Sequence, residues 1–490
     1  MMLSAWPQIA PAGELRLWLG AFGTEAPPAP AFTVNGAPAA PLEAVAWRPI
    51  RDRTTGAAGR PCNHQAVVRL ASLGADRQHR IAIAAGGVRI ERAVHTPPAE
   101  VPAALDGSFN LLLASCYFQP EDAGGLLGTI VGQLPVRPHM TLLAGDQVYL
   151  DLPLFEDLPG SEPALSNVLG DKYRRNWTSS ALGIAGLEPV LTRAPALCIP
   201  DDHEFWNNYP FKQVQLPGTW TPARRAMWQA AAQALYEDYQ QGGAPGSAPA
   251  AWRVDVAPLA MLVLDTRCAR RDDPAAPQGL MAADAVAALA AWEADLLAAR
   301  GSATPRIGLL ASGQALFVER PSDGDAKLKD AELSNYAQFD VVERTLERLA
   351  DAGVPVVYAT GDVHWGRVCE ALHLPSGRRL LHEVICSPSR LIETPFADQK
   401  AQLANTLRGL FGRRQTWPRH AEPLTPPARF GRARRFAPTQ VFGRRGDQVA
   451  LLQFTRAGRG LELRVSYHAI HPDPAVARPE TTGPFTLLPL

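Results

Sequence analysis

Seven strand-length apolar runs, nearly all ending in a polar residue, constrain this chain more than any other feature: FNLLLASC, MTLLAGD, PALCIPDD, LAMLVLDTR, RIGLLASGQ, VPVVYATGD and LLHEVICS. Several are separated by stretches with helical periodicity at 223–240, 282–300 and 331–352, the second of them rich in Ala and Leu with polar residues on one side. Strands alternating with helices define an α/β domain. In such sheets ligands bind at the carboxyl ends of the strands. Cys116, Asp146, Asp202, Asp265 with Arg267, Gln314 and Asp362 all stand at such ends, so one crevice is expected to gather them.

Upstream, the shorter runs LRLWLGAF, AVAWRPI, HQAVVRLASL, HRIAIAA and VRIERAV are spaced by Gly, Pro and Asp turns, the pattern of a small β-sandwich over 1–98. HTPPAEVPAALDG reads as a linker, because clustered prolines hold themselves and their predecessors extended. The large domain is then 105–490, with an Arg- and Pro-rich loop or lid at 391–446 whose basic rim would attract an anionic substrate. VALLQFTRAGRGLELRVSYHAI predicts a closing β-hairpin within 447–490.

Composition removes some partners. Lys plus Arg equals Asp plus Glu at 48 each, so no global field recommends nucleic acid or an anionic membrane. Six scattered cysteines without a CxxC pair argue against a disulfide framework or a zinc knot. No window reaches the apolar length of a membrane span, which predicts no stable membrane insertion. The first residues carry neither a basic n-region nor a continuous apolar segment, and cytoplasmic residence is the expectation.

Four segments carry chemistry. LLAGDQVYLD delivers Asp146 at a strand end and Tyr149 three residues on; alone, such an Asp also suits a turn cap. IPDDHEFWNNY sets Asp201, Asp202, His203 and Glu204 in succession after a buried run. Like charges this close raise one another's pKa unless a cation neutralises them, so a metal is expected. VVYATGDVHWGRVCE repeats the design with Gly361, Asp362 and His364. FNLLLASC places Cys116 at its strand end, where a lone buried thiol would otherwise be inert.

Taken together, these segments resemble the alkaline phosphatase D (PhoD-like) family of the calcineurin-like metallophosphoesterases. The resemblance runs over roughly 105–390: Ser115–Cys116, GDQVYLD, YRRNW, DDHEFWNN, LDTR, NYAQFDVVERTLERL, GDVHW and HEVICSPS follow in order. It implies a four-layer αββα metallophosphoesterase sandwich beside the small N-terminal β-sandwich domain. It also implies a phosphoric ester hydrolase, an alkaline phosphatase or phosphodiesterase, using a metal-bound hydroxide at a dinuclear site. Where the wider superfamily opens with Asp-x-His, this chain has Ala114-Ser115-Cys116, as in the D branch. Members of the family are usually exported with a twin-arginine signal, and this N-terminus carries none.

The donor types support an unlike pair of metals. Cys116, Tyr149 and Asp146, with His364 close by, suit a transition metal, ferric iron by the resemblance. Asp146 as a bridge with Asp202 and Asp362 is an all-oxygen set suited to Ca2+, with Mg2+, Mn2+ or Zn2+ as alternatives in such a site. His203 matches the superfamily histidine that helps the leaving oxygen depart. Arg267 is a natural bidentate clamp for phosphate oxygens, or else a structural partner of Asp265, and Asn207 and Asn208 offer amide donors. The expected substrate is a small-molecule phosphoester; nucleic acid is not an expected partner. The alternative is a catalytically silent phospho-ligand-binding protein of the same fold.

Overall fold

Strands formed by the apolar runs assemble into two large sheets in the computed structural model, which describes residues 1–489 apart from 12, 72, 104, 106, 154–157, 214, 272–278, 318–332, 334–335 and 392–434. The first sheet has ten strands, in the order Glu480–Leu487, Gly460–Ala469, Gln448–Ala457, Phe109–Ala114, Met140–Ala144, Ala196–Ile199, Met2–Gln8, Leu15–Phe22, Asn63–Leu70 and Arg48–Pro49. The second has seven: Ala251–Val256, Leu259–Leu264, Ile307–Ala311, Val356–Thr360, Arg378–Ile385, Gly366–His373 and Phe436–Arg444. The three adjoining strands Phe109–Ala114, Met140–Ala144 and Ala196–Ile199 are parallel, as are Leu259–Leu264, Ile307–Ala311, Val356–Thr360 and Arg378–Ile385. Every residue of Phe109–Ala114, Leu259–Leu264 and Val356–Thr360 is buried. Strands covered on both faces read as continuous apolar runs, which is why these segments lack alternation.

Odd and even positions along a strand nevertheless face different layers. Leu111, Leu113, Leu142 and Ile199 meet Met261, Val263, Leu309 and Val357 between the sheets. Leu112, Leu143 and Cys198 point the other way, onto Leu169 and Tyr173 of helix Glu162–Trp177 and Trp228 and Leu235 of helix Pro222–Tyr236. On the far side Leu262, Leu310 and Tyr358 pack on Leu289 and Trp292 of helix Ala283–Ala298 and Leu346 of helix Phe339–Asp351. The result is the αββα layering expected from the sequence. Among the described residues no helix is long and apolar enough to cross a membrane.

The first hundred residues form a sandwich with two roles. A four-stranded sheet, Ala37–Ala39, Ala31–Val34, Gln78–Ala85 and Val88–His95, supplies Phe32, Ile81, Ile83 and Val94 to a core shared with Leu17, Leu19 and Val68. The opposing layer, Met2–Gln8, Leu15–Phe22 and Asn63–Leu70, continues the ten-stranded sheet, joined in parallel at Gln8 and Ala196. At the other end, Gln448–Ala457 and Gly460–Ala469 form the hairpin, which pairs onto Phe109–Ala114, and Glu480–Leu487 adds a third strand. Of the segment 391–446, Phe436–Arg444 is a strand paired with Gly366–His373, while 392–434 lie outside the described residues.

Candidate metal centre

The loops leaving the parallel strands turn sharply. Cys116, Asp146, Asn208, Asp362 and His364 all have left-handed backbone, with φ of 55, 58, 63, 68 and 60°. Such angles are costly for residues bearing a Cβ and collect at sites where the surroundings over-determine them. Two glycines let the loops meet. A Cβ on Gly145 would lie 2.5 Å from that of Asp201, and one on Gly361 2.3 Å from that of Ser115.

This crowding brings the two halves of the molecule together. The potential ligand atoms of Cys116, Asp146 and His364 lie within 4.8 Å of one another, as do those of Asp146, Asp201, Asp202 and Asp362. Asp146 belongs to both groups, the position expected of a bridge, and to a third with Asp202 and His203. The Cys116 thiol is 3.3 Å from Asp146 Oδ2 and 3.6 Å from the Asp362 carbonyl, and receives the Ser387 hydroxyl at 3.1 Å. Cys116 and Asp146 are buried, whereas His364 is exposed on the open side. Tyr149 is 3 % exposed, and among the described residues its hydroxyl has no hydrogen-bond partner. Its ring lies 4.0 Å from that of His203.

Burial raises the Cys116 thiol well above its ordinary pKa, and the Asp146 and Asp362 carboxylates push it further. Burial raises Tyr149 in the same way, with Cys116 and Asp146 adding to it. Asp146 also stands well above the usual carboxylate range, through burial and the carboxylates of Asp202, Asp201 and Glu204 against the opposing pull of His203. Asp202 goes the other way: burial would raise it, but His203, Arg267 and the backbone N–H of Asn208 together outweigh burial. Without a cation, burial and mutual repulsion thus disfavour the charged forms of the Cys116 thiol, the Tyr149 phenol and the Asp146 carboxyl in one buried cluster. A bound cation inverts that order, deprotonating a coordinated thiol outright. An orphaned buried phenol beside a thiol and clustered carboxyls is a donor set that fits metal ions.

The other expected residues surround this cluster. His203 Nδ1 lies 2.7 Å from Asp151 Oδ1, while Asn207 N–H donates to Asp151 Oδ2 at 2.9 Å. Burial lowers the His203 pKa, yet Asp151, Asp202 and Asp146 outweigh it and raise the imidazole well above its ordinary value. Asn208 donates its backbone N–H to Asp202 Oδ2 at 2.6 Å, and its side-chain oxygen is buried without a partner among the described residues. Arg267 is 2 % exposed and pairs with Asp201, its Nε at 2.6 Å from Oδ1, with Nη1 on the Tyr209 carbonyl at 3.1 Å. Asp265 instead accepts the backbone N–H groups of Arg267 and Cys268 at 2.8 and 2.9 Å. The Arg267 guanidinium thus faces Asp201 rather than Asp265, with Nη2 3.9 Å from Asp202.

The sequence motifs give no separate role to two carboxylates and a hydroxyl that the structure places in support of the cluster. Asp151 closes GDQVYLD, Glu204 closes DDHE and Ser387 lies in HEVICSPS, all inside quoted motifs. Their roles depend on partners about fifty to nearly three hundred residues away. A further group, Asp76, His95 and His139, also has ligand-type atoms within 4.8 Å. There His139 Nδ1 accepts the Asn110 N–H at 3.0 Å, and burial holds the imidazole near pKa 4. A neutral ring accepting at Nδ1 carries its proton on Nε2, so no lone pair faces Asp76 and the group reads as a hydrogen-bonded seam.

Carboxylates, a thiol and imidazoles gathered at the strand ends of an αββα sandwich define a metallophosphoesterase-like protein. The chain matches the family model of the PhoD-like phosphatases over residues 111–408, more than half its length, and belongs to that family. Its structure is similar to a solved structure of PhoD, with a TM-score of 0.59 at 14 % identity, covering 98 % of this chain and 88 % of that one. It also matches GAP50, the anchor in the inner membrane complex of Plasmodium, at 11 % identity over 77 % of this chain and 88 % of that one, but the TM-score of 0.35 carries no argument. No curated protein matches the sequence. Membership in the family supports phosphoester hydrolysis in general, with a metal requirement and a small-molecule phosphoester as substrate.

Proposed function

We propose that this chain hydrolyses phosphoesters at a two-cation centre in which Asp146 is the bridge. Cys116, Tyr149 and Asp146, with His364 at the open side, would hold one ion, and Asp146, Asp202 and Asp362 the other. The observation that carries the proposal is the shared position of Asp146 in the thiolate-imidazole and the all-carboxylate groups. Thiolate and phenolate donors favour ferric iron at the first position and hard oxygens favour Ca2+ at the second, with Mg2+, Mn2+ or Zn2+ as alternatives. When bound, such ions supply a water with its pKa lowered from about 15.7 to near 7 and neutralise charge growing on the phosphoryl oxygens.

The chain's own residues do the rest. Asp151 holds Nδ1 of His203, leaving Nε2 to donate a proton to the departing oxygen. Asp202 is oriented by the Asn208 N–H, and the Asn207 and Asn208 side chains are the amide donors nearest to it in sequence. Arg267, tied to Asp201, contributes positive potential from behind Asp202; direct clamping of substrate would require it to leave Asp201. A panel of nitrophenyl phosphate mono- and diesters with Ca2+ present tests the proposal. Turnover abolished by chelation and by Asp146→Asn is expected, whereas silence on every ester with metal bound would favour the phospho-ligand binder.

A further inference from the structure

The carboxylate that organises the centre is not among its expected ligands. Glu204 Oε2 accepts the backbone N–H of Asp146 at 2.9 Å and of Asp201 at 2.8 Å, and Oε1 accepts that of Gln147 at 2.6 Å. One fully buried side chain therefore ties the loop after Met140–Ala144 to the loop after Ala196–Ile199. It does so at the residue whose φ of 58° sets the direction of the Asp146 side chain. The same oxygen Oε1 receives the Gln240 carboxamide at 3.2 Å, and that amide also lies 3.4 Å from the Tyr173 hydroxyl.

Gln240 sits on a π-helical turn, Glu237–Gln241, that continues helix Pro222–Tyr236. Such turns add a residue to the helical repeat and are frequent at functional sites. Here the turn is fastened to the N-terminal strands. Trp18 Nε1 donates to the Asp238 carbonyl at 2.7 Å, Gln8 Nε2 to the Gln241 carbonyl at 3.0 Å, and Arg51 donates its backbone N–H to Asp238 Oδ2 at 2.7 Å. Gln8 Nε2 also lies 3.4 Å from the Gln240 carbonyl, so hydrogen bonds joined through the backbone of the turn lead from the N-terminal layer by way of Gln240 and Glu204 to Asp146.

We infer that Glu204 and Gln240 are positioning residues through which the N-terminal layer holds Asp146 in its metal-bridging geometry. This rests on the reading of Asp146 as the bridge. Ligand constellations work only within about 0.5 Å and 10–20° of the productive geometry, and hydrogen-bonded partners behind the ligands hold them there. The Gln240 amide offers Glu204 a donor without adding a cation beside the metals.

The test uses the full chain, stripped of metal and titrated with Mn2+ as the probe. Gln240→Leu and Glu204→Gln are compared with wild type by Mn2+ affinity, by melting of the metal-free protein, and by kcat and KM on a nitrophenyl ester. The expected result for Gln240→Leu is Mn2+ binding weaker by roughly 10- to 100-fold, the usual cost of losing such a partner. KM at saturating metal should stay unchanged. Glu204→Gln should weaken binding at least as much; should it fail to fold, Gln240→Leu carries the test. Lower melting temperatures with unchanged Mn2+ affinity would show a purely structural pair and overturn the inference. Wild-type protein that binds neither Mn2+ nor, as the replacement probe, Ca2+ would overturn the two-cation reading and the relay together, whereas undiminished binding by both variants overturns the relay alone.

Discussion

Replacing His203 with alanine separates proton donation from phosphoryl binding. The imidazole is fixed by the 2.7 Å contact between Nδ1 and Asp151, whose other oxygen is occupied by the Asn207 N–H. Nε2 is thus the ring nitrogen left for substrate. Burial disfavours the imidazolium, but Asp151, Asp202 and Asp146 together reverse the balance. Cations on Asp146 and Asp202 would offset two of those three charges, leaving Asp151 as the carboxylate that still favours the imidazolium. A positioned general acid contributes about 10²- to 10⁴-fold, or roughly 3–5 kcal/mol of barrier. His203→Ala should therefore lose that factor on alkyl phosphoesters and much less on nitrophenyl esters, whose phenolate departs without a proton. Asp151→Asn should give a smaller loss with the same dependence on leaving group. The assay is kcat/KM across esters of graded leaving-group pKa: a shallow slope for wild type, a steep one for His203→Ala. Metal content should hold, because His203 is not assigned as a ligand. Equal losses on both ester types would refute the general-acid role and leave His203 as a binding group.

Asp146→Asn should keep its circular dichroism spectrum but lose at least one metal and nearly all turnover; full metal content with undiminished kcat would sink the bridge assignment. Iron against Tyr149 should colour the pure protein by phenolate-to-iron charge transfer, and Tyr149→Phe should bleach it; elemental analysis finding two zinc ions and neither iron nor calcium would refute the unlike pair. His382 is 1 % exposed, and burial holds its imidazole near pKa 4, so the fold stabilises the neutral ring. That contribution is complete above the unfolded pKa of about 6.5 and is lost as pH falls toward 4, about 2 kcal/mol being gone at pH 5. Urea unfolding at pH 7.5 and 5 should show a smaller difference for His382→Leu than for wild type; identical differences would reject the buried neutral ring.

Much of this molecule is local chemistry written along the chain. The run VPVVYATGD contains its own strand, its turn and its candidate ligand, because continuous apolar side chains demand burial on both faces and a small residue must follow where the Gly361 Cβ would strike Ser115. The helix expected over 223–240 is present as Pro222–Tyr236 with its π-helical extension, since periodicity reports a face that must be covered. The donor types were equally legible: thiol, phenol, carboxyl and imidazole at strand ends restrict the chemistry whatever the distances.

Tertiary structure decided how those groups are paired. Arg267 has Asp265 two residues away in sequence, yet its guanidinium reaches Asp201, because the Asp265 carboxylate is spent on the turn's own N–H groups. Asp151 could be read as one more turn residue until His203 is placed against it, and Glu204 as one more acid until three backbone N–H groups converge on it. Residues 2–8 carried no isolated signal, yet they extend the same sheet that bears the loops of the candidate metal centre. Burial pattern and turn preference depend on a few neighbouring residues and so survive in one dimension. A hydrogen-bond partner is chosen within about 3 Å among groups far apart in sequence, and only the packed sheets bring those groups within reach.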